Sequence, residues 1–527
     1  MELLLQLPAT IDPSSCYTAV LIVLTSLLAL FIFSRSSSTS NKLRRKSRLV
    51  LPPSPPVKLP LIGHMHHLAS NPLPHRALRD LAQQHGPAIM HLQLGQVQTI
   101  VVSSAQIAEA ILKTHDVNFA QRPPVHSADI LAYGSTDIVF APYGDYWRQL
   151  RRICTIELFS AKMIKSFSSI REDEVSKLVA AVSTSSAAAG IDLTAMFSKL
   201  TYSVLSRAAF GEVREGSEAF LPLIDEIIRV ASGFNIADFY PSFKFLQVLT
   251  GVESKLNVLH EKADKVLESI IADHRVKKGG KRSGEEEESG DLLDVLLRHH
   301  EGENNLGFSL TTDNIKAVLV DLFVAGTETT ATSLDWIMSE LMRNPRVMQK
   351  AQAEARRVFE PQGKVDESRL EELTYLKMVI RENMRLHPPV AVLLPRTGAQ
   401  DCEIGGYHVP AGASIMVNAW AIGRNPEYWT DPETFWPERF LESSVDYKGA
   451  HFQLLPFGAG RRICPGMSFA SANLELPLAR LLYDFDWKLP NGQEPECIDM
   501  TEMFGATVRR KNSLFLVPVV ASSLNGK

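Results

Sequence analysis

A single cysteine set among glycines and arginines is the group in this sequence that is best suited to chemistry. The segment 457–466 reads Phe-Gly-Ala-Gly-Arg-Arg-Ile-Cys-Pro-Gly, and its glycines allow tight turns or a close approach to a flat ligand. Apolar residues at helical spacing from Met467 to Phe485 predict a helix directly after Cys464. The free amides and the dipole at the start of that helix would lower the pKa of the thiol and favour the thiolate, a ligand that soft metals prefer.

Cys464 by itself allows two interpretations, a small buried apolar side chain or a metal ligand. The five cysteines lie at positions 16, 154, 402, 464 and 497. This irregular spacing argues against the disulfide framework of a secreted protein and against a tetrahedral zinc site, and it favours a reducing compartment. A single axial thiolate on a haem iron remains among the metal sites.

The spacing of five residues in this segment resembles the haem-binding signature of the cytochrome P450 monooxygenases. These residues are Phe457, Gly460, Arg462, Cys464 and Gly466. The resemblance implies that Cys464 ligates the iron of haem b. It also implies that Phe457 packs near the sulfur and that Arg462 pairs with a haem propionate.

A polar break in an apolar helix is the second chemical feature. A long helix is predicted from Thr312 to about Asn344, and its apolar stripe is interrupted at 325–330 by Ala-Gly-Thr-Glu-Thr-Thr. The glycine alone costs about 1 kcal/mol in helix propensity, so the break indicates either a function or a structural kink. In the P450 family the matching segment activates oxygen. Ala325 and Gly326 would leave room for dioxygen, and the catalytic pair Glu328 and Thr329 would relay protons through water.

Two further arginines are candidates for holding the cofactor. A helix is predicted to begin after Gly144, and Trp147 and Arg151 share one face of it because they are four residues apart. The ordinary interpretation is a buried aromatic side chain beside a surface cation. The family resemblance implies a propionate clamp instead, for which the planar fork of arginine is suited. Arg396, at the end of the apolar run 390–396, is a further propionate partner by the same resemblance.

A Glu-x-x-Arg pattern is weak evidence alone, because the sequence contains it four times. The four begin at Glu226, Glu340, Glu354 and Glu382. The last is followed by Leu-His-Pro-Pro and, further on, by Pro-Glu-Arg-Phe at 437–440. The resemblance implies a structural network of Glu382, Arg385 and Arg439 that stabilises the haem core.

The N-terminal region predicts a membrane anchor. Residues 17–33 are almost all apolar, and such a run can span a bilayer. Acidic residues precede the run and five basic residues follow it between 42 and 48, which favours an uncleaved anchor over a secretory signal and places the rest of the chain in the cytoplasm. The predicted organisation is an anchor with a basic flank at 1–50, a stiff proline-rich hinge at 51–63 and a haem-thiolate catalytic domain at 64–527. Microsomal members of the family have a similar hinge, which implies a single-pass protein of the endoplasmic reticulum membrane.

The predicted fold is mainly α with small β-sheets, the cytochrome P450 fold, preceded by a single N-terminal transmembrane helix. Alternating residues at 88–102 predict a small antiparallel sheet, and 121–140 is predicted to be a loop over the substrate pocket. The predicted lining residues are Ile130, Leu131 and Phe140, the run 390–396 and the segment 503–506. No charged anchor is visible among them, so the substrate is predicted to be lipophilic.

The remaining sequence features exclude some partners and imply others. The net charge of −4, without a zinc-finger or helix-turn-helix pattern, gives no sign of nucleic-acid binding. No dinucleotide fingerprint is present, so NADPH would act only indirectly. The resemblance implies a membrane-bound, NADPH-dependent flavoprotein reductase as the electron donor.

The motifs together resemble those of plant microsomal P450 enzymes that hydroxylate terpenoids, alkaloids and phenolics. The predicted function is therefore a monooxygenase that hydroxylates a terpenoid, with an alkaloid or a phenolic as the alternative. Relatives that rearrange peroxides lack the acid and threonine pair that Glu328 and Thr329 preserve. A non-enzymatic membrane haem protein would use two strong axial ligands and would not need a polar break opposite the iron.

Overall fold

The computed structural model describes residues 50–521 except 70, 185–189, 212–219, 232–235, 244–250, 280–289 and 301–308. Helices dominate this part of the chain and four small sheets accompany them, so the predicted mainly α fold with small sheets is confirmed. Residues 1–49, which contain the predicted transmembrane helix, lie outside the described residues. Among the helices that are described, none is long and apolar enough to cross a membrane.

The described α-helices are numbered α1–α17 in chain order. They are Met65–Ala69, Pro74–His85, Ala105–Glu109, His126–Leu131, Asp145–Ile153, Ala161–Ser166, Ser168–Ser183, Leu193–Phe210, Phe220–Ala231, Ile236–Phe239, Val252–Gly279, Leu292–His300, Thr312–Arg343, Pro345–Phe359, Thr374–Leu386, Ala419–Ile422 and Met467–Asp484. Short π-helical turns extend two of them at Ala110–Thr114 and Cys154–Leu158. Short 3₁₀ turns lie at Glu367–Glu372, Pro437–Phe440, Gly460–Arg462, Pro490–Gly492 and Pro495–Cys497.

The described strands are numbered β1–β11. They are Ile89–Leu94, Val97–Val102, Ile191–Asp192, Arg396–Thr397, Cys402–Ile404, Tyr407–Val409, Ser414–Val417, Phe485–Lys488, Glu502–Phe504, Val508–Arg510 and Phe515–Val520. The largest sheet has the order β1-β2-β7-β4, and its first two strands form the hairpin predicted at 88–102, with Ile89 opposite Val102. The other sheets are β3-β11-β8 and the hairpins β5-β6 and β9-β10.

Helix α13 runs through the interior and is the element around which the site is built. Its N-terminus has a capping box, in which the Thr311 hydroxyl accepts from the Asn314 amide at 3.1 Å and the Asn314 side chain accepts from the Thr311 amide at 3.0 Å. It ends at Arg343, before Pro345 begins the next helix. The helix packs against α8, α15 and α17 and is buried along most of its length. The predicted boundaries of 312 and 344 are therefore confirmed to within one residue.

The cysteine loop ends where α17 begins, as the sequence predicts. The Cys464 amide donates to the Phe457 carbonyl at 3.0 Å, which closes the loop on itself. Gly460 has a φ of +70°, and a Cβ atom there would clash with the carbonyl oxygen of Leu112. Glycine is thus required at that position for both conformation and space.

The segment 121–140 differs from the prediction, because it contains helix α4 and is not an irregular loop throughout. The amide of His126, the first residue of this helix, donates to Asp238 of α10 at 3.1 Å. A contact with a residue more than a hundred positions away supports this helix. The local sequence period therefore could not indicate it.

Candidate active site

A large cavity lies between α13, α5 and the cysteine loop. Its empty volume is about 1550 Å³, part of which is open to solvent. Nine of the predicted site residues line it: Trp147, Arg151, Ala325, Gly326, Thr329, Arg396, Phe457, Arg462 and Cys464. The fold therefore brings together groups that are separated by more than 300 positions in the sequence.

Cys464 lies on the cavity wall, but the predicted lowering of its pKa is wrong. Burial raises the pKa of the Cys464 thiol, and the amide of Gly466 and the charge of Arg151 only partly oppose this effect. Loss of hydration disfavours the thiolate more than the helix start favours it. A metal ion deprotonates a coordinating thiol outright, so this environment suits a metal ligand better than a free nucleophile.

Arg462 is a buried cation whose hydrogen-bond acceptors are neutral. Its guanidinium donates to the carbonyls of Ala120 at 2.9 Å and Ala141 at 2.6 Å, and it stacks 4.1 Å from the ring centre of Trp147. The Trp147 indole in turn donates to the Ile138 carbonyl at 2.9 Å. Burial, followed by the charge of Arg396, lowers the pKa of Arg462 to about 10. The geometry thus pairs Trp147 with Arg462 by stacking.

Arg396 and Arg151 bring two more positive charges to the same wall. Arg396 donates to Asp116 at 3.0 Å and to the Ala459 carbonyl at 2.7 Å, and burial lowers its pKa although Asp116 opposes this. Burial also lowers the pKa of Arg151. Both arginines are therefore held in an environment that a bound anion would make more favourable for the cation.

Arg122 is a further cation at the cavity that the sequence analysis missed. It donates to the carbonyls of Val139 at 2.9 Å and of Leu394 and Pro395, both at 2.8 Å. Burial, and then Arg396 and Arg462, lower its pKa well below the ordinary value. Arg122 stands before two prolines in a segment without a period, so only its charge in an otherwise weakly polar stretch could have indicated a role.

The cavity residues fit a flat, doubly anionic macrocycle. Among the described residues, Asp116 is the one carboxylate that pairs with any of the four cavity arginines, which are Arg122, Arg151, Arg396 and Arg462. Two propionates of a haem would balance the excess positive charge through bidentate hydrogen bonds. Cys464 supplies an iron ligand, and most of the remaining wall is apolar.

The opposite wall of the cavity is the polar break of α13. The Thr329 hydroxyl donates to the Ala325 carbonyl at 2.7 Å, which leaves its oxygen lone pairs free to accept a hydrogen bond. Gly326 lines the cavity and also packs against Leu205 of α8, where a Cβ atom would approach a methyl group to 3.2 Å. These small residues keep the centre of the helix close to its neighbour and leave open space beside it.

Glu328 is not on the cavity wall. Its Oε1 atom accepts from the Thr507 hydroxyl at 2.9 Å, and its Oε2 atom is buried without a hydrogen-bond partner among the described residues. Burial raises the pKa of this carboxyl, although Thr507 and the positive charge of Arg509 oppose the change. The structure thus places the two predicted catalytic residues, Thr329 and Glu328, on different sides of α13.

Asp321 is an acidic side chain on the cavity wall, although the sequence predicted a pocket without a charged anchor. Its Oδ2 atom accepts from the amides of Ile138 and Val139 at 3.0 and 3.1 Å, and so fastens this segment to α13. Burial and the neighbouring Asp137 raise the pKa of Asp321 well above the ordinary value. The acid within an apolar helical stripe was the signal for it in the sequence.

The apolar lining also differs in part from the prediction. Ile138 and Val139 line the cavity, whereas Ile130, Leu131 and Phe140 do not. From the run 390–396, Val390, Leu393 and Leu394 face the cavity. The segment 503–506 does not line it. Hydrophobicity marked these segments but could not say which side chains point inward.

Glu382, Arg385 and Arg439 meet beside the site in a closed ionic network. Arg385 forms two bonds of 2.8 and 2.7 Å to the Glu382 carboxylate, and Arg439 adds a third of 3.0 Å. The Glu382 and Arg385 side chains have no solvent exposure. Carbonyls of Gly423 and Pro432 accept the remaining donors on one nitrogen of Arg385. The structure therefore brings the three predicted residues together.

Comparisons with known proteins agree with this site. The family model described as Cytochrome P450 matches residues 52–517. The chain is 51% identical over 474 residues to desmethyl-deoxy-podophyllotoxin synthase of Sinopodophyllum hexandrum, with 90% of this chain and 92% of the relative covered. It is 49% identical to premnaspirodiene oxygenase of Hyoscyamus muticus and 48% identical to 5-epiaristolochene 1,3-dihydroxylase of Nicotiana tabacum, each covering 93% of this chain and 97% of the relative.

The fold has the same relationship to solved structures. A zebra fish cytochrome P450 with progesterone superposes with a TM-score of 0.72 at 27% identity, over 85% of this chain and 100% of that one. Sequence, fold and cavity chemistry lead to one assignment. The chain belongs to the cytochrome P450 family, and it is a monooxygenase that uses a thiolate-ligated haem iron to oxidise a lipophilic small molecule.

Proposed function

We propose that this chain hydroxylates a terpenoid at the endoplasmic reticulum membrane, with Cys464 as the ligand of haem b and with electrons from an NADPH-dependent reductase. The observation that carries the proposal is the cavity, which combines the sulfur of Cys464, four arginines and apolar walls. Relatives named for the oxidation of premnaspirodiene and of 5-epiaristolochene support a terpene hydrocarbon as substrate. A relative named for the synthesis of desmethyl-deoxy-podophyllotoxin keeps phenolic compounds as the second candidate class.

The residues around the cavity divide the work of binding the cofactor. Cys464 holds the iron, while Arg122, Arg151, Arg396 and Arg462 pair with the two propionates. Phe457 packs beside the Cys464 sulfur, and the ring of Trp147 stacks on the guanidinium of Arg462. The bound haem supplies the activation of dioxygen and the transfer of one oxygen atom to carbon.

The wall formed by α13 positions the substrate and the protons. Ala325 and Gly326 leave space beside the helix, and Thr329 accepts a hydrogen bond from water because its own proton is donated to the Ala325 carbonyl. Glu328, the preceding residue, does not face the cavity and therefore exchanges protons with this water through further water molecules. Burial and Asp137 raise the pKa of Asp321, which favours its neutral form and keeps the cavity suited to a lipophilic substrate.

The organisation of the chain follows the same proposal. Residues 1–50 form a membrane anchor with a basic flank, 51–63 form the proline-rich hinge and 64–527 form the catalytic domain. Deletion of residues 1–50 should therefore release the protein from washed microsomal membranes into the soluble fraction. Full retention of the shortened chain in the membrane pellet after an alkaline wash would contradict an anchor in this segment.

The function is tested by the mass of products formed by membranes that contain the full chain and a reductase. Terpenes, alkaloids, phenolics and fatty acids are supplied with NADPH. We expect a terpene product heavier by one oxygen atom, which depends on NADPH and is lost in Cys464→Ala. Oxygenation of phenolics or alkaloids alone would overturn the proposed substrate class. Conversion of a fatty-acid hydroperoxide without NADPH would overturn monooxygenation.

The reduced, carbon-monoxide-bound absorption spectrum of the same membranes serves as the control. The wild-type chain should show the band of a thiolate-ligated haem, and Cys464→Ala should lack it. If the band is present but no product forms from any compound, the proposed substrate is wrong. If folded wild-type protein lacks the band, the assignment of Cys464 is wrong.

A further inference from the structure

A chain of three side chains, the half-buried Glu328 and the buried Thr507 and Thr332, connects α13 with the β9-β10 hairpin. The Thr507 hydroxyl lies 2.9 Å from Oε1 of Glu328 and 3.2 Å from the hydroxyl of Thr332, one turn further along α13. Thr507 and Thr332 are 2% and 6% exposed, so bulk water does not compete for these bonds. The proposed function assigns no role to Thr507.

The backbone holds Thr507 rigidly in this place. Thr507 lies in the turn between β9 and β10, where its carbonyl accepts from the Gly505 amide at 2.9 Å. The next residue, Val508, accepts at its carbonyl from the indole of Trp336 in α13 at 2.9 Å. These bonds fix the backbone of the hairpin against α13, and the bonds to Glu328 and Thr332 fix the direction of the Thr507 hydroxyl.

The hydrogen-bond directions follow from the number of protons available. An ionised Glu328 can only accept, so Thr507 donates to it and accepts from Thr332. When Glu328 is protonated on Oε1, it donates to Thr507, and Thr507 then donates to Thr332. The three groups therefore accommodate both protonation states of the acid without moving a heavy atom.

The second oxygen of Glu328 remains unused. Oε2 is buried and has no partner among the described residues, although an unpaired buried oxygen is costly. Because Thr507 occupies Oε1, Oε2 is the atom that can exchange a proton with a water molecule. The charged groups that act on Glu328 are Arg509 of β10, which favours the carboxylate, and Asp225 of α9, which disfavours it.

We propose that Thr507 is a positioning residue for oxygen activation, because its hydroxyl orients the Glu328 carboxyl with Oε1 engaged and Oε2 free to exchange protons. The inference rests on the proposed role of Glu328 in the proposed function. Thr507 is not among the described residues that line the cavity, so it acts through the acid.

The experiment compares Thr507→Val, which removes the hydroxyl at nearly constant volume, with Thr507→Ser, which keeps it. Thr327→Val is the matched control, since Thr327 is a buried threonine of α13 whose hydroxyl, within the described residues, bonds to the Phe323 carbonyl at 2.6 Å and not to Glu328. The holoenzyme is used throughout with its reductase, and the carbon-monoxide spectrum establishes equal amounts of folded protein.

The first readout does not depend on activity. The carboxyl stretching band of Glu328 is followed by infrared difference spectroscopy against pH and is identified by its absence in Glu328→Gln. We expect Thr507→Val to raise the pKa of Glu328 because the carboxylate loses a donor, and we expect Thr507→Ser and Thr327→Val to leave it unchanged. An unchanged pKa in Thr507→Val would overturn the proposal.

The second readout is the amount of product formed per NADPH consumed. We expect this ratio to fall about tenfold in Thr507→Val, the factor that a hydrogen bond to a charged group is worth, and to recover in Thr507→Ser. A fall in Glu328→Gln without any fall in Thr507→Val would overturn the role of Thr507 alone. If Glu328→Gln leaves the ratio unchanged, the proposed role of Glu328 itself is wrong, and the inference falls with it.

Discussion

Two groups of buried charges differ in whether their cations meet a carboxylate: the network of Glu382, Arg385 and Arg439, and the arginines that line the haem cavity. In the network of Glu382, Arg385 and Arg439, every charge meets an opposite charge at 2.7 to 3.0 Å, and neighbouring carbonyls accept further donors. In the cavity, and within the described part of the chain, Arg462 donates to neutral carbonyls and Arg396 is the one arginine with a carboxylate partner, Asp116. The comparison teaches that buried arginines that share a carboxylate stabilise the fold, whereas buried arginines without a carboxylate partner mark the place of an anionic ligand.

The largest effect is expected from Glu382→Gln, which removes the carboxylate that pairs with both Arg385 and Arg439. Two guanidiniums would then remain buried without a counter-charge, which costs about 3–5 kcal/mol of stability. We expect little folded holoenzyme, measured by the yield of the carbon-monoxide band and by urea unfolding. Glu226→Gln is the matched control because it alters the same Glu-x-x-Arg pattern at a partly exposed position. Equal stability of the two variants would contradict the structural role of the network.

A smaller effect, on haem binding and not on folding, is expected from Arg462→Met, which replaces one of the cavity arginines. This substitution removes a charge that lacks a carboxylate partner, so the polypeptide should stay folded while the haem loses an anchor. We expect haem to dissociate about tenfold faster, as for the loss of one hydrogen bond to a charged group. Transfer of haem to apomyoglobin measures the rate. Arg461→Met, at the exposed neighbouring residue, should leave the rate unchanged; an equal increase there would argue against a specific role for Arg462.

The polar groups of α13 extend the comparison from charges to hydroxyls. Both hydroxyls donate to the carbonyl four residues earlier, but Thr329 faces the cavity whereas Thr327 is buried and does not line it. Thr329→Ala should lower the product formed per NADPH by about tenfold, because proton transfer by positioned groups contributes at least this much. Thr327→Ala should leave this ratio unchanged. Unchanged coupling in Thr329→Ala would count against its role in proton delivery.

The smallest effect is expected at Asp335 of α13, a buried acid that is only distantly paired with a cation. The Thr194 hydroxyl donates to it at 2.5 Å, but Arg510 approaches only to 3.8 Å, and burial raises the pKa of Asp335 from 3.8 to about 6. The folded state therefore holds this proton more tightly than the unfolded state, and the free energy of unfolding falls as the pH rises through 6.

Asp335→Asn removes this dependence, because asparagine resembles the protonated acid. Relative to the wild type, the variant should gain about 1 kcal/mol of stability between pH 5 and pH 7. Urea unfolding at both pH values measures the difference. A constant difference between the two proteins would show that Asp335 has an ordinary pKa in the folded state.

The local pattern of the sequence was sufficient for the elements that depend on neighbouring residues. The boundaries of α13 and α17, the β1-β2 hairpin and the glycine-rich cysteine loop were all predictable, because helical period, alternation and glycine content act over a few residues. The resemblance to a family then identified nine residues that line the cavity, but it also predicted Ile130, Leu131, Phe140 and the segment 503–506, which do not. It could not supply their geometry.

The groups that the sequence did not reveal depend on contacts between distant segments. Arg122 lies at the cavity, and Asp321 accepts hydrogen bonds from the amides of residues 138 and 139. Thr507 donates a hydrogen bond to Glu328, whose side chain does not line the cavity. The raised pKa of Cys464 has the same origin, because burial by the whole fold outweighs the local helix start. The sequence by itself determined which chemical groups this protein has and which short segments carry them. Only the tertiary structure decided which of those charged groups have an oppositely charged partner, because desolvation and hydrogen bonding depend on every segment that packs around a charge.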